Sequence, residues 1–208
     1  MIKNVVFDLG GVIIELDTQR PIDRFLEIGV ANAADLLDPY EQKGLFLQFE
    51  NGEVDLETFR TKLSEYAGKE IPMDDIYYGW MGFMVDVSQD KLNYMFELRK
   101  KYNVYILSNT NPVIMRWARS SVFCPDGRPL TDYCDKIYAS YEMKMTKPNP
   151  EIFKAMLADG KMNPAETLFV DDGKRNIEAA ELLGIHTYMP ENGEDWRAKV
   201  DEILQRLG

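Results

Sequence analysis

A formal net charge of −11 over 208 residues sets the chain against polyanions, so nucleic acid and anionic membrane surfaces are not expected as partners. Hydrophobic residues make up 45%, enough for a packed core, yet no apolar run approaches the ~20 residues needed to cross a bilayer. The first residues lead straight into a strand without a signal-peptide pattern, and Cys124 and Cys134 form neither a metal motif nor a disulfide framework, so a cytoplasmic setting is expected.

Val5, Val6 and Phe7 read as a short buried strand. Asp8 follows at once, and Gly10-Gly11 lets the backbone turn sharply and approach a ligand. Residues 13–17 look like an extended flap. A block of helices then runs to about residue 86, with no strand expected in it. Thr18 can cap a first helix, with Pro21 in its first turn and Ile22, Phe25 and Leu26 on one face. Residues 40–50 carry Leu45, Phe46 and Phe49. Asp55 is a good N-cap for a helix bearing Leu56, Phe59 and Leu63 that ends near Gly68. Asp74 or Asp75 begins another, with Ile76, Trp80, Phe83 and Met84 on one face. Trp80, Phe46 and Phe49 are read as apolar interior, and Arg20, Arg24 and Lys43 as surface.

Beyond residue 87 strands alternate with helices. Ser88 caps a helix with Leu92, Met95 and Phe96. Val104 to Leu107 is a strand ending in Ser108-Asn109, and Pro112 opens the next helix. Ile137 to Ala139 is a short strand. Asn149-Pro150 starts a helix with Ile152, Phe153, Met156 and Leu157 inward, and Leu168 to Val170 is a strand ending in Asp171-Asp172. A helix with Ile177, Ala180 and Leu183 stops at Gly184, His186 to Met189 is the last strand, and Trp196, Val200, Ile203 and Leu207 mark a closing amphipathic helix. The lone His186 reads as structural and Lys144 as solvated. This alternation implies an α/β fold with a parallel sheet covered on both faces. In such a sheet ligands bind beyond the carboxyl ends of the strands. Asp8, Ser108-Asn109, Lys147 and Asp171-Asp172 all fall there, which supplies a nucleophile, hydroxyl and amide donors, a cation and a carboxylate pair. Mg²⁺, which favours oxygen ligands from few carboxylates, suits such a pair beside Asp8.

The ordered set Val6-Phe7-Asp8-Leu9-Gly10-Gly11-Val12, Ile106-Leu107-Ser108-Asn109-Thr110, Lys147-Pro148 and Leu168-Phe169-Val170-Asp171-Asp172 resembles the haloacid dehalogenase-like hydrolase superfamily over essentially the whole chain. Within it, the first two motifs look closest to the bacterial glucose-1-phosphate phosphatase subgroup and to the phosphatase domain of soluble epoxide hydrolase. The resemblance implies a Rossmann-like core over residues 1–16 and 87–208 with an inserted small helical cap over 17–86. It implies a Mg²⁺-dependent phosphatase of a small phosphorylated metabolite, most plausibly a sugar phosphate, acting as a monomer or homodimer. Asp8 would be the nucleophile that forms an aspartyl-phosphate. Ser108 and Asn109 would bind the phosphoryl oxygens, and Lys147 would stabilise Asp8 and the transferring charge. Mg²⁺ would be held by Asp8, the Gly10 carbonyl and Asp172, with Asp171 behind them or as an added ligand.

One departure matters. Phosphatases of this family usually carry a second Asp two residues after the nucleophile, as general acid and base, where this chain has Gly10. Gly10 is expected to leave room there, with Glu15 or Asp17 of the flap as substitutes and a substrate with a good leaving group favoured. The rival readings are a haloacid dehalogenase, which needs no metal and whose family members lack an Asp-Asp pair in the last motif, and a non-catalytic sugar-phosphate-binding protein.

Overall fold

A computed structural model describes residues 1–37 and 42–208; positions 40 and 41 of the expected 40–50 segment lie outside the described residues. Five strands form the central sheet: β1 (Asn4–Phe7), β4 (Asn103–Ser108), β5 (Lys136–Ala139), β6 (Thr167–Val170) and β7 (His186–Tyr188). Their order is β5-β4-β1-β6-β7 and every pair is parallel, with Phe7 in register with Ile106 on one side and Val170 on the other. The carboxyl ends of β1, β4 and β6 are therefore level, and the residues that follow them share one edge.

Alternation along the strands feeds two cores. Val5 and Phe7 face Val104, Ile106, Leu168 and Val170, under α6 (Gln89–Leu98) and α11 (Arg197–Leu207). The Phe7 ring lies 4.7 Å from that of Trp196. Val6, Leu107 and Phe169 face the other way, against Ile152, Phe153 and Met156 of α9 (Pro150–Asp159) and Ile177 and Ala180 of α10 (Lys174–Glu181). Side chains start these helices as the sequence suggests: Ser88 Oγ accepts from the Lys91 amide, and Asn149 Oδ1 from that of Glu151. Asn111 Oδ1 caps α7 (Pro112–Ala118) by accepting from the Val113 and Ile114 amides.

The intervening helices are α1 (Arg20–Ile28), α2 (Ala33–Leu36), α3 (Gly44–Glu50), α4 (Leu56–Ala67) and α5 (Met73–Trp80). They close on a cluster of fully buried rings, Phe25, Phe46, Phe49, Phe59 and Trp80, with Phe49 stacked 4.4 Å from Phe59 and Phe46 edge-on to Phe59 at 5.2 Å. Edge-to-face and offset pairs of this kind fix ring orientation beyond simple burial. Asp55 Oδ1 accepts from the Thr58 amide at 2.8 Å and Gly68 ends α4 in the left-handed region (φ +66), as expected.

Three local expectations are corrected. Asp17, rather than Thr18, precedes α1 with its carboxylate accepting from the Gln19 and Arg20 amides, and the inward face is Pro21, Phe25 and Ile28, leaving Leu26 exposed. Phe96 of α6 is likewise exposed. The segment 17–86 does contain strand. After α5 a single tight turn leads into β3 (Met84–Val87), which pairs antiparallel with β2 (Ile14–Leu16), Ile14 opposite Val87. Past Trp80 the chain turns away from the helix, with Gly82 pressed against Pro21, where a Cβ would meet backbone at 2.7 Å, and Arg20 taking the Gly82 and Met84 carbonyls.

A second seam ties α3 to the sheet. α8 (Ser140–Met143) follows β5, and Ser140 Oγ donates to the Glu50 carbonyl (2.7 Å) while accepting from the Thr110 amide (2.9 Å). Lys144, exposed as expected, also donates to the Gly52 carbonyl.

Candidate active site

Asp8 leaves β1 with its amide on the Val170 carbonyl (2.8 Å), which fixes the carboxylate at the sheet edge. Asp8 Oδ1 accepts from the Leu9 amide at 2.6 Å and lies 3.0 Å from Lys147 Nζ. Lys147 is buried, and its ammonium also donates to Asp171 Oδ2 (2.6 Å) and to the Leu107 carbonyl (2.9 Å). The other oxygen of Asp171 accepts from the Gly173 amide (2.8 Å) and from Asn176 Nδ2 (2.9 Å). Asp172 lies against Gly11, whose φ of +75 and lack of a side chain are both required: a Cβ there would meet the Asp172 carboxylate at 2.1 Å.

Ligand oxygens from Asp8, Asp171 and Asp172 fall within 4.8 Å of one another. Two of the three carboxylates, Asp8 and Asp171, pair with the Lys147 ammonium and Asp172 has no such partner among the described residues, and the electrostatics reflect the imbalance. Burial pushes Asp8 up to about 7, against the pull of Lys147 and with the help of Asp171 and Asp172. Burial and Asp171 push Asp172 up to about 6. Burial works against the Lys147 ammonium, but Asp171 and Asp8 hold it above the ordinary lysine range. A hard divalent cation fits this all-oxygen donor set and relieves the repulsion.

Ser108 ends β4 and is buried at the same edge. The Asn109 carboxamide is engaged at both ends by the backbone of Lys147, its Oδ1 accepting from the amide (2.8 Å) and its Nδ2 donating to the carbonyl (2.9 Å). The structure thus brings together Asp8, Gly10, Ser108, Asn109, Lys147, Asp171 and Asp172 on one sheet edge.

The expected room beside Gly10 is filled. A Cβ at Gly10 would stand 2.7 Å from Leu16 Cδ1, so an apolar side chain holds the place. Neither flap acid faces the cluster: Asp17 caps α1, and exposed Glu15 lies against Gly193 beside a separate cavity that also has Ser88 and Lys91 in its wall.

Next to the cluster, reached through Gly10, Ser108 and Asn109, lies a cavity whose wall combines these three with Gln42, Glu50 and Trp80 from the helical block. Two of these, Gln42 and Glu50, were not foreseen. Glu50 continues the inward stripe of α3, at i+4 from Phe46 and next to Phe49, so a carboxylate at an otherwise apolar helical position was the available signal. Gln42, one residue beyond the undescribed stretch, offers no pattern. Burial pushes Glu50 up to about 8; the charge of Asp8 adds to this and Lys147 opposes it. Among the described residues, four buried polar atoms in the cavity-lining side chains have no hydrogen-bond partner: Gln42 Oε1, Trp80 Nε1, Thr110 Oγ1 and Asn111 Nδ2. Such a set is costly unless a ligand completes it.

A sequence profile described as haloacid dehalogenase-like hydrolase matches residues 2–184. A D-ribitol-5-phosphate phosphatase of Bacteroides thetaiotaomicron is 48% identical over 204 residues, covering 98% of this chain and 99% of that protein. Among solved structures, a HAD-like family hydrolase of Porphyromonas gingivalis is 48% identical with a TM-score of 0.95, over 99% of this chain and 98% of that one. An aspartate-to-alanine variant of a HAD family enzyme of B. thetaiotaomicron, in complex with magnesium and inorganic phosphate, is 42% identical with a TM-score of 0.91, over 96% of this chain and 99% of that one.

Proposed function

Because the chain belongs to the haloacid dehalogenase-like hydrolases and is a Mg²⁺-dependent phosphatase of a small phosphorylated metabolite, we propose that its substrate is a short phosphorylated polyol or sugar, with D-ribitol 5-phosphate the first candidate. The observation that carries the substrate class is the cavity wall. Gln42 Oε1, Trp80 Nε1, Thr110 Oγ1 and Asn111 Nδ2 are a mixed set of donors and acceptors with no protein partner among the described residues, and the hydroxyls of a polyol offer both.

Asp8 attacks phosphorus and carries the phosphoryl group as an aspartyl-phosphate. Lys147 favours the ionised form of Asp8 against its burial and neutralises charge on the equatorial oxygens, assisted by the Ser108 hydroxyl and the Asn109 backbone amide. The Asn109 side chain positions the Lys147 loop, and Asp171, with both oxygens taken by protein donors, positions the ammonium. Asp8, Asp172 and the Gly10 carbonyl would hold Mg²⁺, which supplies charge neutralisation between nucleophile and phosphate. The helices between β2 and β3 act as the cap that excludes water, and the cytoplasm is the site of action.

The test is a panel of D-ribitol 5-phosphate, D-ribose 5-phosphate, glucose 1-phosphate, acetyl phosphate, a nucleotide and 2-chloropropionate, with and without Mg²⁺. The expected result is phosphate release that needs Mg²⁺, with the highest kcat/KM on a polyol or sugar phosphate. Preference for acetyl phosphate or the nucleotide would overturn the substrate class, and halide release without metal would restore the dehalogenase.

A further inference from the structure

Departure of a primary alcohol from phosphorus leaves an alkoxide about as basic as hydroxide, so a polyol 5-phosphate demands a proton donor. This requirement rests on the proposed substrate class. The usual donor position holds Gly10, and Leu16 occupies the space a side chain would use. Asp171 is fully bonded, and Asp17 and Glu15 point elsewhere. Glu50 remains. It is buried, it lies in the same cavity wall as Gly10, Ser108 and Asn109, it comes from the helical block, and it is close enough to Asp8 and Lys147 to feel their charges. In-line displacement needs its proton donor on the far side of phosphorus from the nucleophile, and Glu50 is the carboxyl group that the helical block brings to this cavity. Its helix does not float: Ser140 Oγ holds the Glu50 carbonyl and Lys144 holds that of Gly52.

We propose that Glu50 is the catalytic acid that protonates the departing alcohol, and then the base that takes the proton of the attacking water, in place of the side chain Gly10 lacks. In the first step the Asp8 carboxylate forms a bond to phosphorus and the P–O bond to the alcohol breaks. The freed electron pair stays on the alcohol oxygen, which takes the Glu50 proton, leaving alcohol, aspartyl-phosphate and a Glu50 carboxylate. In the second, water attacks phosphorus and gives a proton to Glu50, the bond to Asp8 breaks with its electrons returning to the carboxylate, and phosphate departs. Both acids end as they began. Burial keeps Glu50 protonated near neutral pH, and the charged groups facing it are Asp8 and Lys147.

A hydroxyl-binding role for Glu50 would also favour polyols, so the test uses substrates without hydroxyls: a series of aryl phosphates from 4-nitrophenyl to phenyl phosphate, followed by a simple alkyl phosphate, assayed with Mg²⁺ beside D-ribitol 5-phosphate. Wild type should show a shallow dependence of kcat/KM on leaving-group pKa. Glu50→Gln, which keeps size and hydrogen bonding but cannot give up a proton, should leave 4-nitrophenyl phosphate within about tenfold and cost ~10²–10⁴ on the alkyl phosphate. Glu50→Asp should recover part of the loss. Equal losses along the series, an unchanged slope, or a slope already steep in wild type would overturn the role of Glu50 while leaving the phosphatase intact. A wild-type protein inactive on the whole series and on D-ribitol 5-phosphate would overturn both.

Discussion

Asp171 and Asp172 are neighbours in sequence with opposite consequences when removed. Asp171 has both oxygens committed, to Lys147 on one side and to Gly173 and Asn176 on the other. Asp171→Ala should therefore cost about 3–5 kcal/mol, since it takes one of two carboxylates from a buried ammonium and leaves the Gly173 amide and Asn176 without their acceptor. Asp172→Ala removes a charge crowded against two others, so in chelator the variant should be no less stable than wild type, while the Mg²⁺ concentration for half-maximal activity should rise. Urea unfolding in EDTA and a Mg²⁺ titration of activity separate the two; equal destabilisation would contradict these assignments. Asp8→Asn should stay folded and lose turnover, since an amide cannot attack phosphorus. Gly10→Asp alone should gain little on an alkyl phosphate, because Leu16 Cδ1 must first move. Paired with Leu16→Ala in a Glu50→Gln background, it should recover activity there. Asp8 and the Asp pair were legible because each follows an apolar strand and carries chemistry in its residue type, and Lys147 was legible from its Lys147-Pro148 motif. Glu50 was not read, because its role arises from a fold that sets α3 over a strand end more than forty residues from it in sequence. The filling of the Gly10 site by Leu16 was equally invisible, being a matter of where the flap turns back.

At the scale of elements, a capping residue and an inward stripe predicted α4 and α9 well and α6 apart from the exposed Phe96, while Pro112 alone marked α7 and the stripe alone α11, since those signals act within a few residues of one another. The β2–β3 ribbon escaped because its strands are three and four residues long and their partners are some seventy positions apart, with Glu15 and Asp86 exposed and giving no sustained alternation. Asp55→Ala should lower stability by about 1 kcal/mol through loss of the Thr58 bond, measurable by thermal unfolding with activity preserved. The Gly52 turn should behave differently. It sits at φ +61, and a Cβ would meet the Tyr141 carbonyl at 2.1 Å. Gly52→Ala must push α3 away from α8, so kcat on an alkyl phosphate should fall further than on 4-nitrophenyl phosphate. Proportional losses on both would mean that the seam serves stability alone.

For the molecule as a whole, buried carboxyls set the response to pH. Glu50 is raised from 4.5 to about 8, Asp8 from 3.8 to about 7 and Asp172 from 3.8 to about 6. The folded state then holds protons that the unfolded chain releases, so their stabilisation is complete below about pH 4 and is lost as pH rises towards about 8. The Tm of metal-free protein should fall across this range, Mg²⁺ should flatten the fall by holding Asp8 and Asp172 ionised, and Glu50→Gln should remove much of what is left. A metal-free Tm that climbs steadily from pH 5 to 8 would refute this. The ribbon bears on how such a molecule can change. Ile14 sits beside Val87 in a two-stranded ribbon separate from the central sheet, so the stretch between begins and ends at adjacent points and, among its described residues, makes no pairing with the five strands. On the reading proposed above, exchanging that stretch would change substrate choice. Glu50 travels with it. A descendant that swapped its module would inherit the nucleophile and forfeit the proton, so taste and chemistry are passed on together here.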